Sequence, residues 1–193
     1  MSQSSKLKQT QYSEKIDPRE TGTWIAGIRN KEIIFLFGEI FSDWVHVEEA
    51  MIDMVDVLIF PDGKTLRQVE NESRGFSPGR QIFRPISSNN TRAKVLLALL
   101  NHFPGNDRKK SDPIYEHIIS EFQTLAGLRN DYLHGLWWTK NNGDVYLQIE
   151  NVEQISFNRK RRIPKADFQS FLNRMGKLMK DIDTMATKHL IGP

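Results

Sequence analysis

The chain contains no cysteine, so it can build neither a disulfide framework nor a thiolate zinc site. It has no apolar run of the roughly 18 residues that a membrane-spanning helix needs. Met1 to Glu20 is polar throughout and lacks the apolar core of a secretory signal. These absences lead to the expectation of a cytoplasmic protein that does not associate with membranes. Histidine is scarce, five in all, and His102 and His117 have neither helical ligand spacing nor an evident carboxylate partner. No metal site and no cofactor is therefore expected. Ser77-Pro78-Gly79-Arg80 lacks the surrounding glycines and the Lys-Ser/Thr ending of a phosphate-cradling loop. Glu48 and Glu49 are read as facing solvent.

What is present suits one domain. A length of 193 residues, with 38% hydrophobic and 26% charged, is ordinary for a single globular core. The net charge of +3 permits nucleic-acid binding without requiring it. Two basic clusters stand out: Arg108-Lys109-Lys110, and Arg159-Lys160-Arg161-Arg162 with Lys165 behind it. Both fall in segments that read as loops, and two readings stay open: a solvated connection or a phosphate-contacting patch.

Residues 1–28 read as a polar tail and 29–193 as one helical domain. From about Arg29 to Phe60, the positions Ile33, Phe37, Ile40, Trp44, Val47, Met51, Met54 and Leu58 draw one apolar stripe along a helix. Pro61-Asp62-Gly63 stops it. Residues 64–88 read as a long loop with one short helix. A second helix fits Asn90 to Phe103, with Ala93, Leu96, Leu97 and Leu100 on one face. A third opens with Asp112 as N-cap and Pro113 at the first helical position, and runs to about His134 with Gly135 at C′. Leu136–Trp138 and Val145–Ile149 flank Asn141-Asn142-Gly143-Asp144, a β-hairpin signature. A last helix covers about Lys165 to Lys188. The predicted class is all-α: a bundle of about four main helices with a small β-hairpin before the last one.

The third helix breaks its own pattern. Ile118, Phe122, Leu125, position 129 and Tyr132 form the stripe that should face a core, yet position 129 is Arg. A guanidinium on an apolar seam must be paired, lie at a subunit boundary or serve a ligand. Asn130 and His134, four residues apart, share the neighbouring polar face with Gly127. Arg129 and His134 are five apart, about 140° around an ideal helix. They converge only if the helix end loosens or if a second copy brings its own pair alongside, and the dimer is preferred. A chain of this composition is expected to hold about one Arg–His pair at such spacing by chance. The apolar seam, the Asn and the helix end are what give this pair its weight.

Leu128-Arg129-Asn130-Asp131-Tyr132-Leu133-His134-Gly135-Leu136-Trp137 resembles the signature of HEPN proteins, in which an Arg precedes a polar residue and a His follows four to six residues after the Arg. The order of a long early helix, a motif at the end of a later helix and a closing helix is similar too. The resemblance implies a dimerising helical bundle, often a metal-independent RNase of toxin–antitoxin, phage-defence or RNA-processing systems. Some members have lost catalysis and serve as binding modules. By that resemblance Arg129, Asn130 and His134 are the candidate catalytic residues. The Tyr that some toxin members carry two residues after the His is replaced here by Leu136.

RNA carries its own nucleophile in the 2′-hydroxyl, so cleavage needs proton transfer and stabilisation of phosphate charge rather than a metal. His134 suits the first task and the Arg129 fork the second, with Asn130 orienting one or the other. Trp137 and Trp138 are candidates to stack a base, while either one taken singly is read more readily as filling the core above the hairpin. Arg159, Lys160, Arg161 and Arg162 are candidates to contact RNA phosphates. The expected partners are a second copy of the chain, RNA, and an antitoxin or other protein. Two functions follow: a metal-independent endoribonuclease acting on single-stranded RNA, or a non-catalytic module that binds a nucleotide, a nucleic acid or a protein.

Overall fold

The computed structural model describes residues 13–15, 24–60, 77–149 and 159–191, with the side chains of 13–15, 159 and 189–191 outside the description. The chain is predominantly helical. The helices are α1 (Lys31–Ile59), α2 (Pro78–Phe83), α3 (Asn89–His102), α4 (Asp107–Ser111), α5 (Pro113–His134) and α6 (Lys165–Ile191). The strands are β1 (Ser13–Lys15), β2 (Trp24–Ala26), β3 (Leu136–Lys140), β4 (Val145–Gln148) and β5 (Arg159–Arg162). No helix among the described residues is long and apolar enough to cross a membrane. The chain forms two compact units, Met1–Phe37 with Asn130–Gln169 and Gly38–Arg129 with Ser170–Pro193.

The second unit is helical. Along α1 the predicted stripe is realised: Ile40, Trp44, Val47, Met51, Met54 and Leu58 are all buried. Ile52, Val55, Asp56 and Val57 are buried as well, so the last turns of α1 are enclosed on nearly every side. Asp56 is tolerated there because Ser77 Oγ and the Gly79 amide donate to its carboxylate, each at 2.6 Å. Those two donors belong to the N-terminal turn of α2, where a carboxylate also suits the helix dipole. A Cβ at Gly79 would lie 2.5 Å from the Ile52 carbonyl oxygen, so only glycine fits. Asp112 caps α5 as its sequence position implies, accepting from the Ile114 amide at 3.0 Å. Ile118, Ile119, Phe122, Leu125 and Ala126 of α5 are buried, as are Phe171, Met175, Leu178, Ile182 and Met185 of α6. Trp44 stacks on Phe122 at 5.8 Å between ring centroids.

Three sequence expectations change in this unit. Arg108-Lys109-Lys110 is not a loop but lies in α4, and Lys109 is buried with its Nζ donating to the Val57 carbonyl at 2.6 Å. A buried ammonium is stable there because α1 ends nearby with carbonyls that lack helical partners. Glu48 and Glu49 do not simply face solvent. Glu48 accepts from Trp44 Nε1 and from Arg92, each at 2.8 Å, and Glu49 binds Arg80 and Arg84, again each at 2.8 Å. His117 does have a carboxylate partner, Asp181, at 3.8 Å. The turn expected at Pro61-Asp62-Gly63 lies outside the described residues, as does the loop from 64 to 76.

The first unit is built on a five-stranded antiparallel sheet of order β1-β5-β4-β3-β2. The predicted hairpin is its centre: β3 and β4 pair from Leu136↔Gln148 to Thr139↔Val145, and Gly143 takes the positive φ (86°) that the turn requires. The sheet exceeds the expected hairpin because two segments of the expected tail, β1 and β2, form its edges and the second basic cluster forms β5. Thr139 secures the edge strand by donating to the Gly27 carbonyl at 2.7 Å and accepting from the Arg29 amide at 3.1 Å.

Candidate functional site

Strand alternation divides the sheet's side chains into two sets. Trp137, Leu147 and Arg161 are register neighbours on one face. That face meets the helices of its unit. Trp137 meets the rings of Phe37, Tyr132 and Phe168 at centroid distances of 5.5, 5.5 and 5.9 Å, and Tyr132 meets Phe168 at 5.3 Å. Its Nε1 donates to the Tyr132 carbonyl at 2.8 Å. A Cβ on Gly135 would run into the Leu147 side chain and approach the Asp131 carbonyl oxygen to 2.7 Å. Gly135 is thus required by close packing of the helix end on β4. It does not have the positive φ that a left-handed C′ cap would show.

The motif itself lies at the end of α5, which stays helical through His134. Asn130 and His134 are exposed on its last turn, with Leu133 and Leu136 exposed beside them at 45% and 46%. Gly127, one turn earlier, is open: an added Cβ would meet nothing within 4 Å. In the helical unit Arg129 is half-buried on the seam that its spacing predicted. Its guanidinium carbon lies 5.5 Å from the Phe41 ring centroid and 5.9 Å from that of Trp44. Aromatic faces thus supply part of the environment that a cation on an apolar seam needs.

Asp131, inside the motif, is half-buried, and burial raises its carboxyl pKa against the opposing pull of Arg161. Asp167, at the start of α6, is raised for the same reason and against the same opposition. Burial pushes the Tyr132 hydroxyl up to about 12. Arg161 is therefore near two carboxylates on the helix-facing side of the sheet, with its Nε buried and lacking a hydrogen-bond partner among the described residues. Sequence reasoning had placed it in a surface loop with its neighbours.

The opposite face carries Trp24, Trp138, Lys140, Tyr146, Lys160 and Arg162. Register makes Trp138, Tyr146 and Arg162 neighbours across three strands, with Trp24 beside Lys140. Lys160 is buried, its Nζ 3.7 Å from the Trp138 ring centroid and 4.1 Å from that of Trp24. Burial lowers the pKa of its ammonium. Lys140 lies over Trp24 at 5.3 Å and Tyr146 at 6.0 Å, and Trp24 meets Tyr146 edge-on at 4.8 Å. Arg162 is largely exposed and pairs with Asp144 at 2.7 Å.

Of the residues expected to contact RNA, the fold brings Trp138, Lys160 and Arg162 to one face and puts Trp137 and Arg161 on the other. Arg159 opens β5, and its side chain lies outside the described residues. Trp24, Lys140 and Tyr146 were missed. The available signal was the alternation of Trp138 with Lys140 and of Lys160 with Arg162, which implies one shared face once both segments are strands. Among the described residues no group of three or more His, Asp or Glu side chains is placed to hold a metal ion. Comparison with protein-family models, with characterised proteins and with solved structures gave no match.

Proposed function

We propose that the protein is a metal-independent endoribonuclease of the HEPN type that cleaves single-stranded RNA, with Arg129, Asn130 and His134 as its working residues. The observation that carries this reading is the motif at the end of α5. An arginine sits on the apolar seam, and an asparagine and a histidine are exposed on the last turn. α5 is helical through His134, which favours a symmetric dimer over loosening of the helix end as the route to convergence. The reading therefore includes a symmetric dimer, in which the His134 of one copy works with the Arg129 of the other. Leu133 and Leu136, exposed beside His134, give the end of α5 and the start of β3 an apolar surface suited to a close contact.

In the proposed reaction the 2′-oxygen attacks the adjacent phosphorus as its proton passes to one His134 imidazole. The bond from phosphorus to the 5′-oxygen breaks, and the 5′-oxygen receives a proton from the second His134. The products are a 2′,3′-cyclic phosphate and a free 5′-hydroxyl. Arg129 stabilises the charge on the non-bridging oxygens, where its planar fork matches two of them at once.

The test is incubation with single-stranded RNA in excess EDTA, with end-group analysis of any fragments. Cyclic phosphate ends that disappear in His134→Ala support the reading. Intact RNA, together with retained nucleotide, nucleic-acid or protein binding, would replace it with the non-catalytic module.

A further inference from the structure

We propose that the sheet face bearing Trp24, Trp138, Lys140 and Arg162 is a binding platform for single-stranded nucleic acid. Bases would stack on the two indoles, and backbone phosphates would meet the two outer cations. That the natural strand is RNA rests on the reading of the α5 motif. The platform itself does not require that reading, since every base offers a π-face and every strand a phosphate.

The composition of the face argues for this occupant. Trp24 and Trp138 are each partly exposed, and Lys140 and Arg162 flank them in register, Arg162 also holding Asp144, a contact that a phosphate would have to displace or share. Lys160 does not reach outward. Its Nζ is held between the two indoles, so it fixes their spacing and adds positive charge beneath them. Cations interleaved with aromatic side chains on one sheet face are complementary to a polyanion that carries flat rings.

A second observation is independent of charge. The indole N–H groups of Trp24 and Trp138 are both buried and have no acceptor among the described residues. Two unsatisfied donors on one face are unusual, and rotation of either ring outward would offer its N–H to a phosphate or base oxygen. A duplex fits this face less well, because its bases are already stacked on one another. An acidic peptide would satisfy the lysines and the arginine but would leave the indoles unused.

The experiment uses the full chain carrying His134→Ala, which leaves the strand uncut if the α5 motif cleaves. Labelled oligouridylate and oligothymidylate of about 15 nucleotides, near the upper site size of a single-strand-binding module, are titrated and followed by fluorescence anisotropy. Both are expected to bind, and the affinity should fall as salt rises. Trp138→Ala is expected to weaken both roughly ten-fold or more. Lys140→Glu is expected to weaken both and to reduce the salt slope by about one. Circular dichroism reports whether Trp138→Ala still folds, and if it does not, Lys140→Glu and Arg162→Glu decide the matter. Absence of binding to either oligonucleotide would overturn the proposal. So would affinities that neither class of variant changes, or displacement of the strand by oligoglutamate as effective as that by unlabelled oligonucleotide. Binding of oligothymidylate at this face by a wild-type protein that leaves RNA intact would sink the nuclease reading alone. RNA cleavage with variant-insensitive binding would sink the platform alone.

Discussion

Arg174 grips Glu121 with two hydrogen bonds, Nε to Oε1 at 2.7 Å and Nη2 to Oε2 at 2.9 Å, joining α6 to α5 within the helical unit. Both side chains are more than two-thirds buried, so the pair is less screened than a surface one. The hydrogen bond from Arg174 holds the Glu121 carboxyl below its usual range, although burial opposes this. A depressed carboxyl contributes stability that is complete above its unfolded pKa and is lost as pH falls through its folded value. Glu121→Gln is expected to lower stability by about 2 kcal/mol at neutral pH and by much less under acid. Urea titrations at pH 7 and pH 3 check this, and an equal loss at both values would contradict it.

At the alkaline end the signal comes from tyrosine. Burial pushes Tyr115 up to about 12, helped by the Asp112 carboxylate, and Tyr132 also to about 12. A phenol raised in the fold contributes stability that is complete below its unfolded pKa near 10 and is lost as pH rises toward the folded value. Ultraviolet titration is expected to show these two phenols ionising late, accompanied by loss of structure between about pH 10 and 12. Ionisation of every tyrosine near pH 10 with the fold intact would refute their burial.

Two glycines of α5 and its exit are expected to respond in opposite directions. Gly135→Ala must displace Leu147 or the helix end, at a cost of about 1–3 kcal/mol. Gly127→Ala meets no obstacle, and better helix propensity is expected to stabilise the monomer by up to about 1 kcal/mol. If α5 is also the dimer face, the same methyl obstructs close approach. Sedimentation is then expected to show weaker association even as the melting temperature rises. A wild-type monomer at micromolar concentration would remove the dimer from the functional reading.

The chemical prediction turns on Arg129 and His134. His134→Ala is expected to slow RNA cleavage by about a hundredfold to ten-thousandfold through lost proton transfer. Arg129→Ala is expected to cost at least as much, and Arg129→Lys to restore little, because a point charge does not reproduce a two-pronged donor. DNA lacks the attacking oxygen and is expected to survive. Arg129→Ala also forfeits the ring contacts with Phe41 and Trp44, a stability cost of about 1 kcal/mol that leaves the protein folded. Cleavage that persists in both alanine variants would locate the chemistry elsewhere.

Helix positions were legible where local chemistry dictates them. Asp112-Pro113 marks the start of α5, and the stripe from Ile33 to Leu58 marks the buried side of α1. The half-buried setting of Arg129 follows from its spacing alone. The sheet was less legible because its register is set by partners far away in sequence. Trp24–Ala26 has three residues, too few for a periodic signal, and pairs with β3. Arg159–Arg162 looks like a solvated run because its hydrophobic support comes from Trp24 and Trp138 on other strands. Lys109 escaped for a similar reason: its acceptor belongs to a helix 52 residues earlier.

The order β1-β5-β4-β3-β2 places the first two strands of the chain at opposite edges of the sheet, paired with segments made much later. The Arg29 amide and its Thr139 acceptor are 110 residues apart. At a typical synthesis rate of 5–20 residues per second, the N-terminal strands leave the ribosome on the order of ten seconds before their partners exist. During that interval the described helices between them can already form their local hydrogen bonds. The β3–β4 hairpin, with the shortest connection in the sheet, is expected to form first and the two edges to join last. Partial unfolding is expected to run in reverse, releasing the N-terminal strands first and baring both flanks of the sheet to another chain at once.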